Sequence, residues 1–470
     1  MIALSLAEIA EAVGGELRLE GTDATPSTVV DGPVTTDSRE VEAGGVFVAK
    51  PGEFDDGHRF ASSAVERGAA LLVVERALDL AVPQVVVADS VEALGTLATE
   101  VVARVRALGR LKVVGVTGSN GKTTTKNLLR EILGGAGRTV ASRKSFNNEV
   151  GGPITMLEVA EDTQFLVAEM GASGIGEIAR LVRMARPDVG IVLKVGLAHA
   201  GEFGGIEQTV RAKSEMVTDL LPGDVAVLNA DDPRVAGMAG LTRAQVVWFG
   251  LGESADVRAT DIVVHARGTE FTVTVPGGAS ARVRFGVLGE HHIMNALAAT
   301  AAAIELGVAL EVVVEALERV TLAEQWRMQV LGGRDGVTVI NDAYNASPDS
   351  MAAALKTLAQ VQQPGTRTIA VLGEMSELGE FSGEEHDRIG LLAVRLGISQ
   401  LVVVGPGARR LHISAINEGS WDGESAYVDT ADEAYDLVVS SVRPGDTVLV
   451  KSSNAAGLRH LGDRLGEWFS

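Results

Sequence analysis

A glycine-rich segment at residues 113–125 has the residue types and the spacing needed to hold a nucleoside triphosphate. It reads Val-Val-Gly-Val-Thr-Gly-Ser-Asn-Gly-Lys-Thr-Thr-Thr, an apolar run followed by a glycine turn and the start of a helix. Backbone N–H groups in such a turn point at phosphate, and glycines let the backbone approach closely. We therefore expect MgATP, with Lys122 at the outer phosphates and the Thr123 hydroxyl on Mg²⁺. The predicted ATP-binding residues of this loop are Thr117, Gly118, Ser119, Asn120, Gly121, Lys122, Thr123 and Thr124.

An ordinary glycine turn between a strand and a helix is the alternative interpretation of this segment. The common form of the phosphate-binding motif has glycine where Val116 stands, so the chain carries a shorter variant built on Gly118 and Gly121. Gly-Lys-Thr still falls at the strand–helix junction that phosphate binding requires, which favours the phosphate-binding interpretation.

Two other side chains could take part in metal chemistry. Glu169 and His199 each lie at or just past the end of a predicted parallel strand, where ligands bind in open α/β sheets. An acid and an imidazole there could hold a second metal ion, although either one alone is as often a hydrogen-bonded structural residue. Lys213 lies in a helical stretch at 209–216, and pattern alone predicts a solvated helix lysine.

Short clusters of Asn and Asp follow apolar runs at residues 229–233, 289–295 and 341–348. These residue types build turns for local reasons, because their side chains bond to nearby backbone groups. For each cluster taken alone, the turn interpretation is favoured over a ligand-binding one.

The elements that must position these residues fall into three regions. A chain of 470 residues predicts about three domains. Residues 1–108 have short apolar runs at 46–49, 70–74 and 85–87, which indicate a small α/β domain. Residues 109–322 alternate strand and helix, with buried strands predicted at 112–116, 165–169, 189–195 and 225–228 and a helix at 124–133. Within that region, residues 257–287 alternate with period two and predict a β-hairpin insert.

The predicted alternation of strands and helices resumes after Trp326. Strands predicted at 337–340, 369–372, 401–404 and 448–450 indicate a doubly wound, Rossmann-like third domain at 323–470. The fold class predicted for the chain is therefore α/β, with a central domain like those of phosphate-loop ATPases.

Composition limits the classes of function. The net charge of −21 argues against nucleic acid or an anionic membrane as the main partner. The absence of cysteine excludes disulfides and thiolate chemistry, and it fits a reducing compartment. Acidic residues near the N-terminus argue against a signal peptide, and apolar runs are interrupted by charge, so we expect a soluble, cytoplasmic enzyme without a membrane span. We also expect a monomer.

Taken together and in this order, the motifs resemble the Mur ligase family, whose members build the peptide of bacterial cell-wall precursors. The resemblance covers nearly the whole chain. Besides the loop at 117–125, it is carried by the segments Thr-Asp-Ser-Arg at 36–39, Phe-Asn-Asn-Glu-Val-Gly at 146–151, Glu-Met-Gly-Ala at 169–172, Ala-His-Ala-Gly-Glu-Phe-Gly at 198–204, Arg-Ala-Lys-Ser-Glu at 211–215, Arg-Met-Gln at 327–329, and the runs at 341–350 and 372–379.

The resemblance implies a role for each matched residue. It implies that the first domain holds the UDP end of the substrate and that the third closes over ATP bound to the central domain. It implies that Glu169, His199 and a carbamylated Lys213 hold Mg²⁺, together with Thr123. The implied catalytic residues are Lys122, Glu169, His199 and Lys213; the further ATP contacts are Asn295, Arg327, Asp342, Tyr344 and Asn345; the substrate contacts are Asp37, Ser38, Arg39, Asn147 and Asn148.

Two of the matched segments, 341–350 and 372–379, resemble one member of the family in particular. They imply an ATP-dependent ligase that adds D-alanyl-D-alanine to a UDP-N-acetylmuramoyl-tripeptide through an acyl phosphate. The nearest alternative adds a diamino acid or lysine to the UDP-dipeptide. That enzyme usually has Asp-Asn-Pro-Arg in its third domain, whereas Asp-Asp-Pro-Arg at 231–234 lies in the central domain. A nucleotide-binding regulator that does not ligate is the alternative from another class, and a predicted second metal site argues against it.

Three departures from the family pattern affect particular predictions. His292 stands where the family usually has Asn, and Lys194 replaces an Asn common before the metal-binding histidine. Ser452 and Asn454 differ from the frequent Gly and Arg, so the contact usually made by that Arg is not implied for this chain.

Overall fold

In its described residues, the computed structural model contains three large β-sheets in succession along the chain, each flanked by helices, and one short two-stranded sheet. This agrees with the predicted α/β class. Among the residues that the structure describes, no helix is long and apolar enough to cross a membrane. The structure describes residues 1–52, 55–142, 145–196, 205–265, 267–321, 325–419 and 424–470.

The first region is built on a five-stranded sheet of order β2-β7-β6-β5-β4, in which β2 is antiparallel and the others are parallel. A short pair, β1 and β3, lies beside it. The strands are β1 (Leu4–Ser5), β2 (Glu16–Arg18), β3 (Val29–Val30), β4 (Val34–Thr35), β5 (Val46–Val48), β6 (Leu71–Val74) and β7 (Gln84–Val86), and the helices are α1 (Leu6–Val13), α2 (Ala61–Glu66) and α3 (Ser90–Ala107).

The second region is built on a nine-stranded sheet of order β16-β15-β14-β13-β12-β11-β8-β10-β9. The six strands from β8 to β13 are parallel to one another. The strands are β8 (Lys112–Thr117), β9 (Thr139–Ala141), β10 (Phe165–Glu169), β11 (Val189–Val192), β12 (Val225–Asn229), β13 (Gln245–Gly250), β14 (Val257–His265), β15 (Gly268–Thr274) and β16 (Ser280–Phe285), and the helices are α4 (Lys122–Gly134), α5 (Gly151–Met156), α6 (Glu177–Ala185), α7 (Ile206–Thr218), α8 (Pro233–Ala236), α9 (Glu290–Glu305) and α10 (Leu310–Arg319).

Two predictions for this region need correction. The segment at 257–287 is a three-stranded meander, and it extends the edge of the central sheet because β14 pairs with β13. The strand predicted at 189–195 ends at Val192, and two residues later the Lys194 carbonyl accepts a hydrogen bond from the Ser119 N–H of the glycine-rich loop at 2.8 Å.

The third region is a six-stranded sheet of order β17-β18-β22-β19-β20-β21, parallel except for β17. Separate hydrophobic clusters cover its two faces, so the predicted doubly wound arrangement is confirmed. The strands are β17 (Gln329–Gly332), β18 (Thr338–Asn341), β19 (Thr368–Leu372), β20 (Gln400–Val404), β21 (Ser425–Val428) and β22 (Thr447–Lys451), and the helices are α11 (Pro348–Gln360), α12 (Ser382–Arg395), α13 (Arg409–Glu418), α14 (Ala431–Ser441) and α15 (Leu458–Trp468).

One hydrophobic cluster runs without a break from the first sheet into the second. Helix α3 connects them: Asp89 caps its N-terminus, and its apolar face packs against α5 and α6 of the central region. The predicted domain limits of 108 and 322 remain predictions, and the second falls at residues 322–324, outside the described ranges.

Candidate active site

The glycine-rich loop joins a buried strand to a helix, as predicted. Strand β8 ends at Thr117 and α4 begins at Lys122. Gly118 and Gly121 have φ angles of 151° and 87°, which other residues rarely adopt. A Cβ on Gly121 would lie 2.3 Å from the side-chain oxygen of Asn295, so the close packing here also requires glycine.

Lys122 lies at the base of this loop with its charge directed at the loop backbone. Its Nζ donates to the Gly118 carbonyl at 2.7 Å. Burial lowers the pKa of Lys122, while the negative charge of Glu169 opposes that shift and the Arg327 charge adds to it. Within the described residues Lys122 makes no ion pair within 4 Å, so it can exchange a carbonyl contact for a phosphate.

Glu169, at the end of β10, forms a small oxygen-rich group with two neighbours. Its Oε1 accepts from the Asn147 side-chain amide at 2.9 Å and from the Thr123 hydroxyl at 3.3 Å. Its Oε2 is buried and has no hydrogen-bond partner among the described residues. A buried carboxylate oxygen is normally satisfied, so this one fits a cation. Mg²⁺ prefers oxygen ligands, which Glu169 and Thr123 supply.

Lys213 lies on α7 and is only 3% exposed, so the solvated-lysine interpretation is wrong. The sequence pattern misled because a single lysine on an amphipathic helix does not reveal what packs over it. Burial, with a smaller contribution from the Lys122 charge, lowers the pKa of Lys213 to about 7, against the opposing charges of Glu177 and Glu215. Near neutral pH a large fraction of this amine is therefore uncharged and nucleophilic.

The predicted metal set is only partly within the described part of the chain. Thr123, Glu169 and Lys213 are described, whereas His199 lies outside it. In the ranges that the structure describes, no group of three or more histidines and acids is placed to hold a metal.

A cleft of about 980 Å³ separates the second region from the third. The predicted residues that line it are Asn120, Gly121, Thr124, Asn295, Arg327 and Asp342. His291 and His292 also line it. Burial lowers the pKa of His291 to about 4 and that of His292 well below its ordinary value, so both are neutral at physiological pH.

The remaining predicted residues lie elsewhere. The Tyr344 ring lies beside the Arg327 guanidinium, 4.7 Å from it, and the Asn345 carbonyl accepts from Lys451 at 3.0 Å. The Asn148 side chain accepts from the Gly151 N–H at 2.9 Å, at the start of α5. Three predicted substrate contacts lie in the N-terminal region and do not line this cleft: Asp37, Ser38 and Arg39.

Sequence reasoning missed a buried ion pair on the third-region wall of the cleft. Lys451, at the end of β22, donates to the Asp342 carboxylate at 2.6 Å, and both side chains are nearly inaccessible to solvent. Burial lowers the pKa of Lys451, against the attraction of Asp342. A lysine that ends an apolar strand was the available signal, but its partner lies 109 residues away in the sequence.

Two contacts cross the cleft near the glycine-rich loop, and neither was predicted. The Ser347 hydroxyl donates to the Asn120 side-chain oxygen at 3.1 Å. Lys194 forms an ion pair with Asp349 at 3.3 Å. Both Ser347 and Asp349 belong to the first turn of α11 or its cap, so this helix approaches the loop end-on.

Comparisons with known proteins match this arrangement from end to end. Three family models match: "Mur ligase family, catalytic domain" at residues 33–112, "Mur ligase middle domain" at 116–303, and "Mur ligase, glutamate ligase domain" at 326–454. The UDP-N-acetylmuramoyl-tripeptide–D-alanyl-D-alanine ligase of Mycobacterium tuberculosis (strain H37Rv) is 43% identical, covering 99% of this chain and 98% of its own.

Two solved structures are similar over nearly the full chain. A crystal structure of MurF from Acinetobacter baumannii superposes with a TM-score of 0.88 at 33% identity, covering 99% of both chains. The MurF ligase of Thermotoga maritima in complex with ADP superposes with a TM-score of 0.81 at 28% identity, covering 93% of this chain and 97% of its own.

Proposed function

The chain belongs to the Mur ligase family, and from that premise we propose that it joins D-alanyl-D-alanine to a UDP-N-acetylmuramoyl-tripeptide at the expense of ATP. It is an ATP-dependent ligase of peptidoglycan precursor synthesis. The observation that supports the proposal is similarity along the whole chain, in all three regions, to UDP-N-acetylmuramoyl-tripeptide–D-alanyl-D-alanine ligases.

The chemistry follows from the weakness of a carboxylate as an acyl donor. Its oxygen leaves poorly, so the substrate carboxylate first attacks the γ-phosphorus of ATP, which gives an acyl phosphate and ADP. The amine of D-alanyl-D-alanine then attacks the acyl carbon, and inorganic phosphate leaves as the amide forms. The protein contributes mainly position and charge, since phosphoryl transfer needs little covalent help.

Lys122 is the residue we assign to the transferring phosphoryl group. It lies at the helix start, where backbone N–H groups also favour negative charge. In the described ranges its ammonium has no carboxylate within 4 Å, although the Glu169 charge acts on it from farther away, and the Arg327 charge acts on it as well. The positive charges of Lys122 and Arg327 would stabilise the negative charge that accumulates on the phosphates in the transition state.

We assign Mg²⁺ to Thr123, Glu169, His199 and a carbamylated Lys213. The buried Oε2 of Glu169, which has no partner among the described residues, supports the assignment of Glu169 as a ligand. The lowered pKa of Lys213 supports its carbamylation, since only a neutral amine adds to CO₂. The carbamate is an anion and suits a cation site. When bound, Mg²⁺ would neutralise phosphate charge and orient the phosphates.

The cleft also has to exclude water, because water would hydrolyse an acyl phosphate. We propose that the third region closes on the glycine-rich loop during the reaction, using contacts of the kind that Ser347 and Asn120 make. We further propose that the enzyme acts as a monomer in the cytoplasm, where its UDP-linked substrate and ATP occur together.

A panel assay tests the proposal. Inorganic phosphate release is measured with UDP-muramoyl-dipeptide or UDP-muramoyl-tripeptide, each combined with D-alanyl-D-alanine, D-alanine, lysine or diaminopimelate. We expect strong release only with the tripeptide and D-alanyl-D-alanine. A single amino acid would leave buried polar groups of a dipeptide site unpaired, which costs about 1–3 kcal/mol for each.

Two other outcomes would contradict the proposal. Efficient addition of lysine or diaminopimelate to the dipeptide would assign the chain to the preceding step. Release of phosphate that is independent of any amine would indicate a nucleotide-hydrolysing regulator.

A further inference from the structure

Arg327 is held in an unusual way for a residue that reaches into a nucleotide cleft. It lines the cleft, and its charge lowers the pKa of Lys122, His291 and Lys451. Yet its buried Nε has no hydrogen-bond partner in the part of the chain that the structure describes. Among the described residues it also forms no ion pair within 4 Å, so neither a carboxylate nor a carbonyl fixes its direction.

An aromatic column holds the guanidinium instead. The Arg327 Cζ lies 4.7 Å from the centroid of the Tyr344 ring. Tyr344 stacks on Trp326, with centroids 6.4 Å apart and planes within 13° of parallel. The indole of Trp326 in turn contacts the Arg459 guanidinium, whose Cζ lies 5.5 Å from the ring centroid. The aromatic column is therefore Arg327, Tyr344, Trp326 and Arg459 in that order.

Hydrogen bonds fix the column to the third region. The Trp326 indole N–H donates to both carboxylate oxygens of Asp463, at 2.9 and 3.1 Å. The Trp326 backbone N–H donates to the Gln329 side chain at 3.0 Å. At the outer end, Arg459 donates to the carbonyl and side-chain oxygens of Asn454.

The backbone around Arg327 is strained in a way that suits this arrangement. Trp326 and Met328 have φ angles of 58° and 48°, in the left-handed region that residues with side chains seldom adopt. Such strain persists only where surrounding contacts determine the conformation. Here the Met328 N–H donates to Asp342 at 3.0 Å and the Trp326 carbonyl accepts from the Tyr344 N–H at 3.3 Å.

We propose that Trp326 is a positioning residue for nucleotide binding, acting through Tyr344 to aim Arg327 at the phosphates of ATP. Arg459 supports the indole through its own cation–π contact. The inference rests on the proposed function only for the identity of the nucleotide. Planar stacking suits this task because it fixes the orientation of a guanidinium and leaves its N–H groups free for phosphate.

The test compares Trp326→Leu, which removes the ring, with Trp326→Phe, which keeps one. Affinity for ADP is measured by calorimetry, and KM is measured for ATP, the UDP-tripeptide and D-alanyl-D-alanine. We expect Trp326→Leu to weaken ADP binding about tenfold and to raise KM for ATP by a similar factor. This is the size of effect expected when the stacking that holds a guanidinium is lost. Trp326→Phe should stay within about threefold of wild type, and the other two KM values should stay within about twofold.

A double-mutant cycle separates positioning from general support of the fold. If Trp326 acts through Arg327, then Trp326→Leu should cost less than about twofold in ADP affinity once Arg327→Ala is present. Equal tenfold losses in both backgrounds would overturn the proposal. So would a folded Trp326→Leu variant that binds ADP as wild type does, or a Trp326→Phe variant as weak as Trp326→Leu.

A variant at the outer end keeps the proposal testable if Trp326→Leu does not fold. Arg459→Met removes the outer guanidinium, and we expect ADP binding about threefold weaker with an unchanged melting temperature. Unchanged ADP affinity in Arg459→Met would contradict the proposal. ADP calorimetry needs no turnover, so a wild-type chain that fails to ligate D-alanyl-D-alanine would refute the proposed function and leave this test intact.

Discussion

The central region has two interfaces, and they differ in kind. Towards the N-terminal region it shares one continuous hydrophobic cluster, into which α3 packs so closely that a Cβ on Gly95 would lie 2.5 Å from the Met184 side chain. Towards the C-terminal region it presents a cleft of about 980 Å³, crossed near the loop by the Ser347–Asn120 hydrogen bond and the Lys194–Asp349 ion pair.

The proposed closure of the third region fits this difference. An apolar interface that is continuous with two cores resists separation, because opening it exposes surface of both. A polar, hydrated interface opens at little cost, because water replaces its hydrogen bonds. We therefore expect the first two regions to move as one body and the third to move against them, with the chemistry at the interface that opens.

The largest effect should come from the charge on the polar side. Lys122→Ala removes a cation that we assign to the transferring phosphoryl group, and we expect kcat to fall about 10²- to 10³-fold. The melting temperature should change little. Steady-state kinetics check this, with Lys112→Ala as the matched control, since that lysine starts the same β8 strand and is exposed. Near wild-type ligation by Lys122→Ala would refute the phosphate-loop assignment.

Lys213→Ala should have the next largest effect, a loss of about 100-fold, because it removes a residue assigned to the metal. Acetate should restore part of the activity by supplying an oxygen in the vacated space. Arg211→Ala, an exposed neighbour on α7, is the control and should remain active. Full activity in Lys213→Ala would contradict the carbamate assignment.

The pH dependence of the wild-type enzyme sharpens this prediction. With a pKa of about 7, Lys213 is mostly protonated at pH 6 and mostly neutral at pH 8. Only the neutral amine takes up CO₂, so enzyme depleted of CO₂ should regain activity on adding bicarbonate at pH 8 more fully than at pH 6. Equal recovery at both pH values would argue against a titrating lysine.

These two lysines also show what sequence can and cannot reveal. Lys122 was predictable because its neighbours in sequence create its environment: a strand, a glycine turn and a helix start. Lys213 was misjudged from pattern alone because distant segments bury it, and only the family resemblance singled it out. The aromatic column was not foreseen, since Trp326 and Arg459 lie far apart along the chain.

The strands divide in the same way, into those defined by local sequence and those that depend on distant contacts. Long buried strands such as β8, β10 and β20 were predicted to within about one residue, because apolar runs between turn residues define them locally. The short edge strands β9 and β21 were missed, as was β17, because three or four residues at a sheet edge carry little pattern. The pairing of β14 with β13 depends on tertiary packing, so a predicted hairpin became the edge of the main sheet.

A substitution in the apolar interface should affect stability and leave the chemistry intact. Gly95→Leu forces a side chain into the space that Met184 occupies, and overpacking of this kind costs about 1–3 kcal/mol in the free energy of unfolding. Gly134→Leu is the control, because a Cβ there meets nothing within 4 Å. Urea unfolding measures both. Equal stability of the two variants would show that α3 does not hold the two regions together.

The smallest effect is expected at the ion pair across the cleft. Lys194 and Asp349 keep 47% and 32% of their side-chain surface exposed, so Lys194→Ala should change the free energy of unfolding by less than about 1 kcal/mol. Raising the salt concentration should shrink even that difference. A loss of unfolding free energy as large as that caused by Gly95→Leu would mean that the two interfaces contribute equally to stability.

The most direct test of the whole account is to measure both interfaces during nucleotide binding. The chain has no cysteine, so two introduced cysteines are the only thiol labelling sites. One fluorophore pair, Ser27→Cys with Glu161→Cys, spans the apolar interface, and another, Glu161→Cys with Ser440→Cys, spans the cleft. We predict that saturating MgATP and UDP-tripeptide change energy transfer in the second pair and leave the first unchanged. A shift in the first pair as large as in the second, or no shift in the second at saturation, would contradict the account.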